Sequence, residues 1–175
     1  MTEAGFAGRM GARETLMEGP LGAILLLDSQ ATDGRLSLVE HPLAPRALGA
    51  PTHTHSNEDE YSLVLEGTIG FEIAGETFEA TTGDVVAKPR GIPHAFWNAT
   101  DKTARLLELI VPAGFERYFV ELGQILGRPG PPDLAALGEL GSRYGLELDP
   151  ESIPRLAAEH GLDVGAGRPG AGMSG

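Results

Sequence analysis

Two stretches of the chain decide its fold: residues 53–60, which read HTHSNEDE, and residues 83–98, which read GDVVAKPRGIPHAFWN. On a β-strand, side chains at positions i and i+2 point to the same face, about 7 Å apart. His53 and His55 can therefore converge on one ion. Glu60 lies an odd number of residues after His55, so the polar residues between them are predicted to form a loop or bulge that returns Glu60 to the same face.

The second stretch adds a third imidazole. Residues 88–91 have Pro89 and Gly91 at the second and fourth positions of a type I turn, and a new strand is predicted at 94–98. Three imidazoles and one carboxylate form a complete ligand set for a divalent transition metal. The sequence therefore predicts a metal centre made of His53, His55, Glu60 and His94.

The spacing of these residues resembles the two motifs of the cupin superfamily. The first motif is met by His53, His55, Glu60 and Gly67. The second motif is met by Gly83, Pro89, Gly91, His94 and Asn98. The resemblance covers roughly residues 35–112. It implies a mainly β fold, a double-stranded β-helix or jelly-roll barrel. The short C-terminal α-helices that are predicted in addition lie outside the resemblance.

Alternation of apolar and polar residues independently predicts an antiparallel barrel of about eight or more short strands. The predicted strands are 22–28, 35–41, 60–66, 68–73, 77–80, 85–88, 94–98 and 104–111. The segment 42–51 contains three prolines and is predicted to be a rim loop. Helical spacing of apolar residues over 115–126 predicts a helix that packs outside the barrel.

Three regions are expected along the chain. Residues 1–126 would form the barrel, with its N-terminal strands and one packing helix. Residues 127–160 would form a short helical extension, with helices at 133–144 and 150–160. Residues 161–175 are rich in glycine and are predicted to be a disordered tail.

The composition of the chain limits which partners it is expected to bind. A net charge of −12 repels phosphate backbones and anionic lipid, so neither nucleic acid nor a membrane is expected as a partner. The chain contains no cysteine, which leaves only nitrogen and oxygen as metal ligands and is compatible with a reducing compartment. No signal-peptide core occurs near the N-terminus. We expect a cytoplasmic protein that acts on a small molecule.

The predicted ligands constrain the chemistry. One carboxylate on a divalent ion leaves a net charge of about +1, which stabilises an anionic ligand such as an enolate or a carboxylate. Four protein ligands saturate tetrahedral zinc, whereas six-coordinate iron, manganese, nickel or cobalt keeps two positions open. Val64 shares the parity of Glu60, and Phe96 that of His94, so both are predicted to line a substrate pocket. Ordinary barrel core is the equally weighted alternative for both residues.

The amino-acid sequence at residues 60–67, 89–98 and 112–116 is similar to that of single-domain bacterial cupins known as quercetin-dioxygenase-like. This resemblance implies a metal-dependent dioxygenase of an aromatic or enolisable small molecule, with dioxygen as the second substrate and Glu60 as ligand and base. Two alternatives stay open. One is a metal-dependent isomerase, cyclase or decarboxylase, and the other is a non-catalytic cupin that binds a small molecule.

The strand 60–66 also predicts an interface. If Glu60 faces the interior, Tyr61, Leu63 and Leu65 face outward and form an apolar row. Such a row must be covered by a helix or by a second subunit. We expect a homodimer.

Overall fold

The computed structural model describes residues 13–130 and 133–164, and the fold in these ranges is mainly β. The strands are β1 (Glu14–Met17), β2 (Ala23–Leu27), β3 (Ser37–Leu43), β4 (Leu48–His55), β5 (Asp59–Glu66), β6 (Thr68–Ile73), β7 (Glu76–Thr81), β8 (Val85–Lys88), β9 (His94–Trp97), β10 (Ala104–Val111) and β11 (Leu146–Leu148). The helices are α1 (Glu116–Leu126), α2 (Leu134–Arg143) and α3 (Ser152–His160). No helix within the described ranges is long and apolar enough to cross a membrane.

The strands form two antiparallel sheets that enclose the interior. The first sheet has the order β1-β2-β3-β10-β5-β8, and the second has the order β11-β4-β9-β6-β7. Side chains alternate along each strand, so one face of each sheet points inward. On β5, Glu60, Ser62 and Val64 are buried, whereas Tyr61 is exposed. The predicted parity of this strand, which decides where Glu60 points, is confirmed.

The predicted rim loop at 42–51 is wrong in extent. Strand β3 continues to Leu43 and β4 already begins at Leu48, which leaves only four residues between them. The register of β4 against β9 shifts between Ala50 and His53, so Pro51 lies at an irregularity of the ladder. A proline, which has no N–H to donate, is tolerated in a strand at such a place.

The predicted turn at 88–91 is displaced by one residue. The N–H of Ile92 donates to the carbonyl of Pro89 at 3.2 Å, so the turn spans 89–92. Gly91 takes the third position with φ of 73°, a conformation that favours glycine. The reason for the displacement is that Lys88 still belongs to β8, where it lies opposite Glu60.

Helix α1 does not simply pack outside the barrel, because aromatic residues at its start contact inward-facing side chains. The ring centres of Phe115 and His55 are 4.5 Å apart, and those of Phe119 and His41 are 4.8 Å apart. Leu140 of α2 joins the same buried cluster. The two helices therefore cover one side of the interior that holds the histidines.

The C-terminal extension is joined to the barrel. Its strand β11 pairs with β4 and places Leu146 opposite His55. Leu156 of α3 packs against the outer side of β9. Of the predicted tail, residues 161–164 are described and Leu162 is buried there, while residues 165–175 lie outside the described residues. The extension thus supports the two strands that carry the three predicted histidine ligands.

Candidate metal centre

Four polar side chains meet inside the barrel. They are the four residues that the sequence predicts as metal ligands: His53, His55, Glu60 and His94. One potential ligand atom from each lies within 4.8 Å of the other three. Their exposed fractions are 6%, 1%, 4% and 1% in the same order, so the cluster is almost completely removed from solvent.

Strand register explains the convergence. His53 and His94 lie directly opposite each other in the β4–β9 ladder of the second sheet. Glu60 comes from the facing sheet, and the break between β4 and β5 gives it the inward direction that the sequence predicts. The N–H of Gly91 donates to the carbonyl of His55 at 2.8 Å, which ties the two motif segments together.

Backbone carbonyls orient two of the imidazoles. Nδ1 of His53 lies 2.7 Å from the carbonyl oxygen of Pro51, and Nδ1 of His94 lies 2.9 Å from that of Ile92. Because a carbonyl only accepts, each Nδ1 must carry the hydrogen, which leaves the lone pair on Nε2. This arrangement is typical of metal-binding histidines. The carboxylate of Glu58 lies 3.3 Å from Nδ1 of His55 and gives the third ring an anionic neighbour.

The free nitrogens point towards Glu60. Nε2 of His55 and Nε2 of His94 each lie 3.5 Å from an oxygen of the Glu60 carboxylate. This distance is longer than an ordinary hydrogen bond. Nε2 of His94 is fully buried and has no hydrogen-bond partner among the described residues. A buried lone pair of this kind calls for a ligand.

Burial and neighbouring charges keep the predicted ligand side chains in the deprotonated forms that metal binding requires. Burial is the main cause that lowers the pKa of His53 and of His94, so both rings are neutral at pH 7. Burial alone would raise the pKa of Glu60, but its neighbours, first among them the ammonium of Lys88, outweigh it and place this pKa well below its usual range. Glu60 is therefore ionised.

The donor set fits a divalent transition metal. Two ligands on opposite sides of one ion are about 4 to 4.6 Å apart, and the four ligand atoms lie within 4.8 Å of one another. Nitrogen and oxygen donors without sulfur suit zinc, iron, manganese, nickel and cobalt alike. The unpartnered Nε2 of His94 supplies the independent sign that a ligand belongs there.

Sequence reasoning missed an ion-pair network beside the cluster. Lys88 is 1% exposed, and its Nζ lies 2.9 Å from Oε2 of Glu60 and 2.6 Å from Oε2 of Glu108. The hydroxyl of Ser62 donates to Glu108. A signal was present in the alternation of β8 and β10, because Lys88 and Glu108 occupy inward positions that are otherwise apolar.

The two predicted pocket residues lie in packed surroundings. Val64 and Phe96 belong to a buried apolar cluster that also contains Phe71 and Leu106. This packing matches the alternative of ordinary barrel core. A contact of either residue with substrate stays a prediction.

A two-sheet barrel with three histidines and one glutamate converging in its interior defines a class of potential metal-binding β proteins. Residues 40–110 match the family model described as Cupin domain. This segment belongs to the cupin superfamily, as the motif spacing predicts. No curated protein matches the chain.

Solved structures share the fold. The polyketide cyclase RemF from Streptomyces resistomycificus is 24% identical, with a TM-score of 0.51 over 61% of this chain and 80% of that chain. A predicted oxalate decarboxylase from Thermotoga maritima is 23% identical, with a TM-score of 0.51 over 58% of this chain and 90% of that chain. KdgF from Halomonas sp. is 17% identical, with a TM-score of 0.50 over 56% and 84%. At these identities the likeness extends to the fold alone.

Proposed function

We propose that the protein is a metal-dependent dioxygenase of an aromatic or enolisable small molecule. The observation that supports it most is the convergence of three imidazoles and one ionised carboxylate within 4.8 Å, in a site shielded from solvent. A divalent ion held by His53, His55, Glu60 and His94 would supply Lewis acidity and, if redox-active, a site for dioxygen chemistry.

The residues of the chain have separate tasks in this proposal. The carbonyls of Pro51 and Ile92 keep the rings of His53 and His94 directed at the ion. Glu60 is ionised at neutral pH and accepts the proton of a substrate hydroxyl or enol. The low exposure of the cluster excludes bulk water, which strengthens every charge interaction within it.

A metal-dependent isomerase or cyclase is the second candidate. It is favoured by the same ionised, buried Glu60, because moving a proton between two carbons of a bound substrate needs a base and no oxidant. A non-catalytic binding protein would need neither a base nor an open metal position. Dioxygen consumption and substrate conversion, measured together, therefore separate the three functions.

Oxygen uptake is the first test. We expect the metal-loaded protein to consume dioxygen with a phenolic or 1,3-dicarbonyl compound, one molecule for each substrate molecule lost. An oxygen electrode and chromatography of the products measure both quantities, with metal-stripped protein as the control. Conversion without oxygen uptake would overturn the dioxygenase in favour of an isomerase or cyclase. Tight binding without conversion would support the non-catalytic alternative.

A homodimer and a cytoplasmic location stay predictions, and the structure offers a specific surface for the dimer. On the outer face of the first sheet, Leu63 lies opposite both Val85 and Leu107, and Tyr61 lies opposite Leu109. Tyr61 is 40% exposed and Val85 is 65% exposed. We propose that a second copy of the chain covers this apolar face, because a patch of this kind marks an interaction site.

Sedimentation velocity tests the dimer. The unmodified protein should sediment as a dimer, and Leu107→Glu should shift it to monomer because a charge would be buried in the interface. Leu134→Glu is a matched control, since Leu134 is 75% exposed on α2, away from this face. A monomer at every concentration of the unmodified protein would contradict the proposal.

A further inference from the structure

The strongest unassigned feature of the interior is Lys88, a lysine buried next to a predicted metal ligand. Its ammonium is held from three sides. Nζ donates to Oε2 of Glu60 at 2.9 Å and to Oε2 of Glu108 at 2.6 Å, and lies 5.2 Å from the ring centre of Phe96. An ammonium has three hydrogens to donate, so two carboxylates and one aromatic face account for its surroundings.

Glu108 is fixed in turn. The hydroxyl of Ser62 lies 3.1 Å from its Oε1 and 3.0 Å from its Oε2. Strand register supports this contact, because Ser62 and Glu108 are directly opposite in the β5–β10 ladder. Lys88 is therefore also anchored by Glu108 and cannot follow Glu60 freely.

The anchor restricts one oxygen of Glu60. Oε2 accepts a charge-assisted hydrogen bond from Lys88, whereas Oε1 faces Nε2 of His55 at 3.5 Å. A cation at 2.9 Å from Oε2 makes that oxygen a weaker electron-pair donor to a metal, and it repels a second cation beside it. Oε2 also lies 3.5 Å from Nε2 of His94, so both oxygens face the histidines, and the contact with Lys88 is what distinguishes them. Oε1 has no contact with the ammonium and keeps its lone pairs for a metal.

We propose, building on the metal-dependent function above, that Lys88 is a positioning residue that makes Glu60 bind the metal through Oε1 alone. Glu60 then occupies one coordination position rather than two. The position that a chelating carboxylate would fill stays available to substrate. Burying an ammonium and two carboxylates is expensive for folding, and a role in shaping the metal centre accounts for why this interior keeps them.

Cobalt spectroscopy tests the role of Lys88. The visible absorption of protein-bound Co²⁺ depends on the number, type and geometry of its ligands. We expect Lys88→Met combined with Glu108→Gln to change the visible absorption spectrum per bound Co²⁺, because Glu60 can then chelate with both oxygens. The double substitution removes one charge of each sign, so the net charge of the interior is unchanged and the bound Co²⁺ is the cation beside Glu60. Glu108→Gln alone keeps the contact between Lys88 and Glu60 and should retain the spectrum of the unmodified protein.

The outcomes are distinct. An unchanged Co²⁺ spectrum in a folded, cobalt-saturated double variant overturns the proposal. Should that variant fail to fold, the cobalt-loaded unmodified protein decides in a crystal structure: coordination through Oε1 alone supports the proposal, and two equal metal–oxygen distances overturn it. A protein that binds no Co²⁺ at any concentration instead overturns the metal-dependent function on which the proposal rests.

Discussion

Replacing His94 by alanine should lower the affinity for a divalent metal by at least about 100-fold, since even the loss of a residue that only orients a ligand costs about 10-fold to 100-fold. His94 is the predicted ligand that comes from β9, and its ring is held by the carbonyl of Ile92. Without it, the remaining ligands cannot close the coordination sphere from the β9 side. Metal content per chain, measured after equilibration with a competing chelator, gives the affinity.

The control is a histidine outside the cluster. His160 stacks on Trp97 with ring centres 4.1 Å apart, on the outer side of β9. His160→Ala removes the same side chain and should keep the metal affinity of the unmodified protein. A folded His94→Ala variant that holds metal as tightly as the His160→Ala variant would show that His94 is not a ligand.

Glu60→Gln should separate metal binding from turnover. The amide keeps an oxygen donor, so part of the metal should remain bound, but it cannot accept a proton. We therefore expect turnover of a substrate found in the oxygen screen to fall about 10²-fold to 10⁴-fold, the usual contribution of a general base. Metal content and turnover are measured on the same samples, so that activity is expressed per bound metal.

Glu66→Gln is the matched control on the same strand. Its side chain is 61% exposed and pairs with Arg105, outside the interior. This variant should retain both metal and activity. Full turnover by metal-loaded Glu60→Gln would mean that Glu60 is only a ligand, and that another group handles the proton or that no proton is removed.

The sequence predicted the parts of the fold that depend on local patterns. Strand β5 could be oriented because its alternation and the motif spacing agree on the direction of Glu60. The convergence of the four predicted ligand residues followed from the same spacing.

Features that depend on distant partners were not predicted. Strand β11 has three residues and exists because it pairs with β4, about 90 residues earlier in the chain. Pro51 signals a loop locally, yet the neighbouring strands hold it inside β4. The contact of Lys88 with Glu108 joins two strands, so the alternation that places each residue inward does not identify its partner.

Anomalous diffraction from crystals grown with a divalent transition metal tests the metal centre most directly. The arrangement of the cluster predicts one strong peak at the absorption edge of that metal, about 2.0 to 2.3 Å from Nε2 of His53, His55 and His94 and from an oxygen of Glu60. A metal-saturated crystal with no peak between these four side chains, or with its peak on other residues, would contradict the account.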